Sequence, residues 1–259
     1  MISPIKAILI GIGAMSLIGA DSNEHHLITK ITSIQLAERL NTSDGKGFYA
    51  EILTAITKNN RFRMDIQIQP LKRSLVDFAE RKADCIWPID RNLIVKLIGE
   101  SSDILESDYV FEASQHIFTA PGQPAISNLK ELAGKLVGVT IGSNVEEELR
   151  DASALVDPVP LQDNKINMLM AGHLFAIIGW APDFLITFHD LKLGSPQYDK
   201  SLVLTKTRNA FVCHKSPVTI NFLKKMNPAI KAFRVSAQSK TIAEKYGVSQ
   251  IFGHEDISN

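Results

Sequence analysis

Leu129-Lys-Glu-Leu-Ala-Gly-Lys-Leu-Val-Gly-Val-Thr-Ile-Gly-Ser143 holds a helical turn, a strand and a second turn in one short run. Asn128 stands just before it with Glu131 three residues on, the spacing of a capping box. Gly134 ends that short helix. Leu136 to Ile141 then reads as a strand, and Gly142-Ser143-Asn144 turns into a helix from Val145 to Arg150. The same alternation continues downstream. Ala154 to Val159 reads as strand, and Lys165 to Ala171 as a helix ended by Gly172. Leu174 to Gly179 is a strongly apolar strand, and Pro182 opens another helix.

Upstream the rhythm is the same. Leu27 to Gln35 reads as a strand, and Phe48 to Lys58 as a helix with Phe48, Ile52, Leu53 and Ile56 on one face. In Arg63 to Gln69, Met64, Ile66 and Ile68 alternate with polar residues, which is a strand with one buried face. Pro70 ends it. A helix follows over Arg73 to Lys82, then a short apolar strand over Asp84 to Trp87 that Pro88 is expected to stop. A second unit starts near residue 115, with a strand over His116 to Ala120. Late strands are expected at Leu202 to Thr205 and Ala210 to Cys213. Ser216-Pro217 and Asn227-Pro228 both read as helix starts, and Thr241 to Tyr246 as a final helical turn. Strands alternating with helices predict an α/β fold with mainly parallel sheets covered on both faces.

Composition narrows the function. The 259 residues are 45% hydrophobic and 22% charged, with 28 Lys+Arg against 28 Asp+Glu. A neutral chain has no global attraction for nucleic acid or anionic lipid, so a charged ligand must be recognised locally. Ala7-Ile-Leu-Ile-Gly-Ile-Gly-Ala-Met-Ser-Leu-Ile-Gly-Ala20 follows Lys6. It is short for a bilayer span and fits the apolar core of a secretory signal, so residues 1–20 are expected to be removed after Ala20 and the rest to work in the periplasm, an uncleaved N-terminal anchor being the alternative. Gly11-Ile-Gly13 belongs to that segment and is not a dinucleotide fingerprint, because Ser16 stands where the third glycine would be. Cys85 and Cys213 each lie in an apolar, strand-like run. They read more readily as buried small hydrophobes than as a disulfide, since spacing alone does not bring them within reach. The histidines show no metal-ligand spacing, and no cofactor is expected.

Four collinear stretches carry a resemblance. Gly47-Phe-Tyr-Ala-Glu-Ile-Leu53 is similar to a "G-F-x-x-D-L" helix start, with Glu51 in place of Asp. Pro70-Leu-Lys-Arg-Ser-Leu75 with Arg81-Lys-Ala-Asp84 is similar to "P-x-x-R-x-L…G-x-x-D". The opening stretch is similar to "L-x-x-L-x-G-K-x-V-G-V-x-x-G-S", and Met168-Leu-Met-Ala-Gly-His-Leu-Phe-Ala-Ile177 to "L-x-x-G-x-x-D-A-V". In this order they resemble the family 3 extracytoplasmic solute-binding proteins, the amino-acid-binding branch of the type II periplasmic fold. The resemblance implies two α/β lobes joined by crossover strands, expected at Ser114 to Ala120 and Asn209 to His214. One lobe would hold residues 26–114 and 214–259, and the other 115–213. A ligand would lie between them and be buried by hinge closure.

Ligands of open parallel sheets bind beyond the carboxyl ends of the strands, which selects candidate residues. Gly142, Ser143 and Asn144 follow a strand and begin a helix, either as an anion site or as an ordinary capped turn. Arg91, after Asp90, resembles the family's carboxylate-holding arginine in "T-x-E-R", although Asp90-Arg91 also reads as a solvated turn. Arg73 is a second candidate, or else an exposed arginine paired with Asp77. Trp87 and Trp180 read either as aromatic walls of a pocket or as core and rim packing. The family's amine-binding Asp would follow the strand Phe175-Ala-Ile-Ile-Gly-Trp180, where Trp180 stands instead. Asp183 is the available substitute. This departure favours a less polar or purely anionic ligand over a standard amino acid.

The resemblance implies a monomeric binding protein that delivers a small polar molecule, an amino acid or related organic acid, to the permease of an ABC transporter. Sensing through a membrane receptor is the alternative. A periplasmic enzyme such as a dehydratase is the rival class, but no nucleophile triad or paired carboxylates mark one.

Overall fold

A computed structural model describes residues 28–252 except 38, 59–61, 100–102, 141–144 and 250. The first sheet contains β1 (Thr29–Gln35), β2 (Met64–Pro70) and β3 (Cys85–Ile89). Helices α1 (Phe48–Thr57), α2 (Leu71–Ala79) and α3 (Arg91–Ile98) follow these three strands in the chain. β1 pairs in parallel with β2 on one side and β3 on the other. Residues 91–98 form a helix that the hydrophobic pattern did not announce. Asp90 caps it by accepting the Asn92 N–H at 2.7 Å.

Beyond the short β4 (Ile104–Glu106), β5 (Phe111–Phe118) leads into the second unit. There a 3-10 turn at Leu129–Leu132 precedes β6 (Leu136–Thr140), α4 (Glu146–Asp151), β7 (Leu155–Val159), α5 (Gln162–Met170), β8 (Ala176–Ala181) and α6 (Asp183–Asp190). The capping box forms as expected, with Asn128 accepting the Lys130 N–H and Glu131 accepting the Asn128 N–H. β6 pairs in parallel with β7 and β8, while β5 runs antiparallel to β8. The chain returns through β9 (Thr205–His214) and ends in α7 (Pro217–Arg234) and α8 (Ala237–Lys245).

β9 belongs to both sheets. Thr205 to Asn209 pair with β5, whereas Ala210 to His214 pair with β3 and β4. β5 also changes core along its length. Phe111 and Ala113 pack with Phe48, Trp87 and Phe211, while Ile117 packs with Val137, Val139 and Ile178. Two strands thus carry the chain between two separately cored α/β lobes, the two-lobed type II arrangement. The strand expected over Leu202 to Thr205 forms only at Thr205, and the polar run Lys206-Thr-Arg-Asn209, expected as a gap, is ladder at the crossing.

Three local expectations are corrected. Pro88 does not stop β3; the strand continues to Ile89, and the register shifts between Ile86 and Ile89. A bulge is where a residue without an N–H is tolerated in a sheet. Pro228 does not start a helix but lies inside α7. The buried stripe Phe222, Met226, Ala229, Ile230 and Phe233 runs straight through it, so core packing outweighs the lost backbone bond. Finally, Cys85 and Cys213 form a disulfide. Both strand assignments held, but antiparallel pairing sets the two residues directly opposite each other, with Cα atoms 4.0 Å apart.

Candidate functional site

The carboxyl ends of the two sheets face each other. Arg39 and Tyr49 come from the segment after β1 and the first turn of α1. Asp163 opens α5, after β7, and Asp183 opens α6, after β8. Tyr49 donates its hydroxyl to the Asp183 carboxylate at 2.8 Å. Arg39 reaches Asp163 through Nη1 and Asp190 through Nε, both at 3.0 Å. α6 also brings Ile186 into the first lobe's core, with Trp180 and Leu185 packed against it. At its far end His189 covers Gly247, where a Cβ would lie 2.8 Å from the ring. The lobes therefore meet through an apolar seam flanked by a hydrogen bond and two ion pairs.

Burial pushes the Asp183 carboxyl up to about 6, against the opposing pull of the Tyr49 hydrogen bond. The Tyr49 phenol is pushed well above its ordinary range, first by burial and then by the Asp183 charge. The pair is thus a protonation-sensitive contact between lobes.

A second ionisable group lies behind the strand ends of the second lobe. Lys165 in α5 is 1% exposed. Its Nζ donates to Thr140 Oγ1 at 2.7 Å, at the carboxyl end of β6, and to the Ile178 carbonyl at 3.0 Å, within β8. The Phe184 ring lies 4.9 Å from the ammonium. Gly179 makes room for that ring, since a Cβ there would sit 2.1 Å from it. Burial lowers the Lys165 amine to about 8.

The sequence-selected residues have varied surroundings. Trp87 is fully buried and stacks on Phe211 with ring centroids 4.6 Å apart, so its ring is core. Its Nε1 has no hydrogen-bond partner, nor have Gln115 Oε1 on β5 and Asn209 Nδ2 on β9. These buried polar atoms lie on the strands that join or flank the crossing. Asp90 accepts the Arg208 N–H at 2.8 Å besides capping α3, and so ties β3's end to β9. The Arg91 backbone donates to Glu106 Oε1 at 3.1 Å. Arg73 forms the helical ion pair with Asp77 at 3.2 Å and is mostly exposed. Trp180 is half-buried at the seam and lies near Asp183 in the chain, so these two share the second lobe's face. Gly142, Ser143 and Asn144 lie outside the described residues.

Three site residues were not anticipated. Tyr49 reads as helix-face packing, and its ring does pack against Phe48 and Phe111, but its hydroxyl serves the other lobe. Arg39 lies in a segment without periodicity. Lys165 did carry a signal: it sits four residues before Leu169 on the apolar stripe of its helix, where a charge is out of place.

No protein-family model matches the sequence, and no curated protein does. Solved structures match in fold. The GluR0 ligand-binding core of Nostoc punctiforme, in complex with L-glutamate, is 16% identical over 85% of this chain and 99% of that one, with TM-score 0.64. The L-cystine solute receptor of Neisseria gonorrhoeae, in an unliganded open conformation, is 11% identical over 86% and 94%, with TM-score 0.64. A substrate-binding protein of an amino acid ABC transporter is 17% identical over 85% and 98%, with TM-score 0.60. The chain has the two-lobed fold of these proteins over almost their whole length.

Proposed function

We propose that the protein is an exported solute-binding protein that closes its two lobes on one small polar molecule and presents it to an ABC-type membrane permease. The carrying observation is the pairing of two crossing strands with a polar contact between the opposed strand ends, Tyr49–Asp183 and Arg39–Asp163. Two covalent links allow hinge motion, and contacts of this kind can open and reform. The fold it shares with binding proteins for glutamate and cystine supports the same reading. The Cys85–Cys213 disulfide favours an oxidising compartment, in keeping with a secretory signal over residues 1–20. The ligand would lie beside Trp180 and Asp183 on one lobe and Asp90 and Arg91 on the other. The protein works as a monomer.

Native mass spectrometry of protein purified without denaturation tests this. The expected result is one retained small molecule per chain, released unchanged on unfolding. A carboxyl raised to about 6 would also suit a catalyst, so the released molecule is returned to fresh protein. Its conversion to product would replace binding with catalysis, and the absence of any retained or rebound molecule would remove the ligand-trap reading.

A further inference from the structure

Ser114 and His116 stand two residues apart on β5, so their side chains share one face of a strand that crosses between the lobes. His116 is 3% exposed. Its Nδ1 lies 3.1 Å from the Leu202 carbonyl oxygen, and its Nε2 lies 2.7 Å from Ser114 Oγ. A carbonyl oxygen only accepts, so Nδ1 carries the proton of the neutral ring and Nε2 is left as the acceptor. The Ser114 hydroxyl therefore donates to an imidazole nitrogen that is free to take its proton. That is the arrangement of a nucleophile and its general base, with the base oriented by a third group. Burial pushes His116 below its ordinary 6.5, which keeps the ring neutral at pH 7. The base is enclosed but the hydroxyl is not: Ser114 is only half-buried.

The neighbours suit the same chemistry. The Asp199 charge favours the imidazolium that proton transfer would create, and Asp199 is itself held by the Ser201 N–H at 2.8 Å. Lys206 stands directly across from Ser114 on β9 and is exposed, so a cation flanks the place where an acyl oxygen would gain negative charge. We propose that Ser114 is an acyl-accepting nucleophile, with His116 as its base, toward activated esters of small carboxylic acids. Ser114 Oγ bonds to the carbonyl carbon of the ester as its proton passes to His116 Nε2. The bond from that carbon to the leaving oxygen then breaks, the proton goes from His116 to the leaving group, and the acyl group stays on the serine. This activity lies beyond the ligand-trap reading and does not rest on it, so its failure would leave that reading untouched.

The test treats the full chain with p-nitrophenyl acetate and follows acetyl on the peptide that carries Ser114 by mass spectrometry. Acetyl on surface lysines is mapped separately and does not count. Wild type is expected to gain one acetyl group at Ser114. His116→Gln should slow that acetylation about 100-fold or more, the usual contribution of a positioned general base, with a melting temperature measured beside it. A wild-type pH series from 5 to 8 needs no variant. The rate at Ser114 should rise with pH and level off, with a midpoint below 6.5, because only neutral His116 accepts the proton. The charged and titratable groups facing the ring do not titrate in that window. Asp199 is held below the usual carboxylate range by its bonds to Ser201, burial pushes Tyr198 upward, and Lys206 keeps its proton. Acetyl on lysines alone, equal labelling of Ser114 in folded His116→Gln, or a rate that climbs to pH 8 without levelling would each overturn the assignment. If His116→Gln does not fold, the wild-type profile decides it.

Discussion

The first lobe is stapled and meets its buried carboxylate with a cation, whereas the second has no staple and buries charge without an ion pair. In the first, Cys85–Cys213 ties β3 to β9 inside an aromatic core, and the buried Asp77 is met by Arg73 and Gln69. In the second, Lys165 and Asp183 sit on consecutive helices behind the strand ends, and no disulfide is present among the described residues. The difference separates frame from function. The first lobe is built to stay as it is, while the second carries Asp183, whose partner Tyr49 lies on the opposite lobe, and Lys165, whose two acceptors are neutral.

The largest expected effect tests the staple. Replacing both cysteines by serine frees a segment of sequence separation 128 and should cost about 4–5 kcal/mol of stability. Both tryptophans border the stapled core, Trp87 inside it and Trp180 packed against it. In urea, their fluorescence transition should move to lower denaturant than in wild type, and an unmoved midpoint would contradict the staple's role.

Next comes the inter-lobe bond. Tyr49→Phe removes a donor from a buried carboxylate and should cost about 1–3 kcal/mol of closed-state stability. Weaker ligand binding with unchanged contacts inside each lobe would appear as faster ligand release in stopped-flow measurements. Lys165→Met should behave in the opposite way in ligand-free protein, leaving stability unchanged or raising it by about 1–2 kcal/mol, because an uncompensated buried charge is gone. A marked loss of stability would instead assign Lys165 a purely structural task.

The smallest effects are pH dependences of opposite sign. Asp183 holds its proton more tightly when folded, near 6 against an ordinary 3.8, so its contribution is present at low pH and is lost as pH rises through 6. Asp183→Asn should abolish that decline in thermal melts between pH 4 and 7. Lys165 holds its proton less tightly when folded, near 8 against 10.5, so ligand-free stability should rise from pH 8 toward 10. That rise should vanish in Lys165→Met.

Much of this architecture was legible in the residues. The alternating strands and helices follow from local periodicity, and the caps at Asn128 and Ser216 from hydrogen bonds a few residues long. What was not legible depends on distant partners. The disulfide joins two strands whose antiparallel pairing no local pattern announces. The continuity of β9 depends on β5, and the persistence of α7 through Pro228 on the core beneath it. The site divides in the same way. Asp183 could be selected from its place after a strand, but its partner Tyr49 lies 134 residues away. Trp87 was selected for its place after an apolar run, and the fold turned its ring into the core.

The central claim is that two lobes close on a molecule held between them. Small-angle X-ray scattering of the refolded, emptied protein, before and after its co-purifying molecule is returned, tests this most directly. The account predicts a larger radius of gyration for the empty protein and a fall to the compact value at one molecule per chain. An unchanged radius across the titration, with binding demonstrated in the same samples, would contradict it.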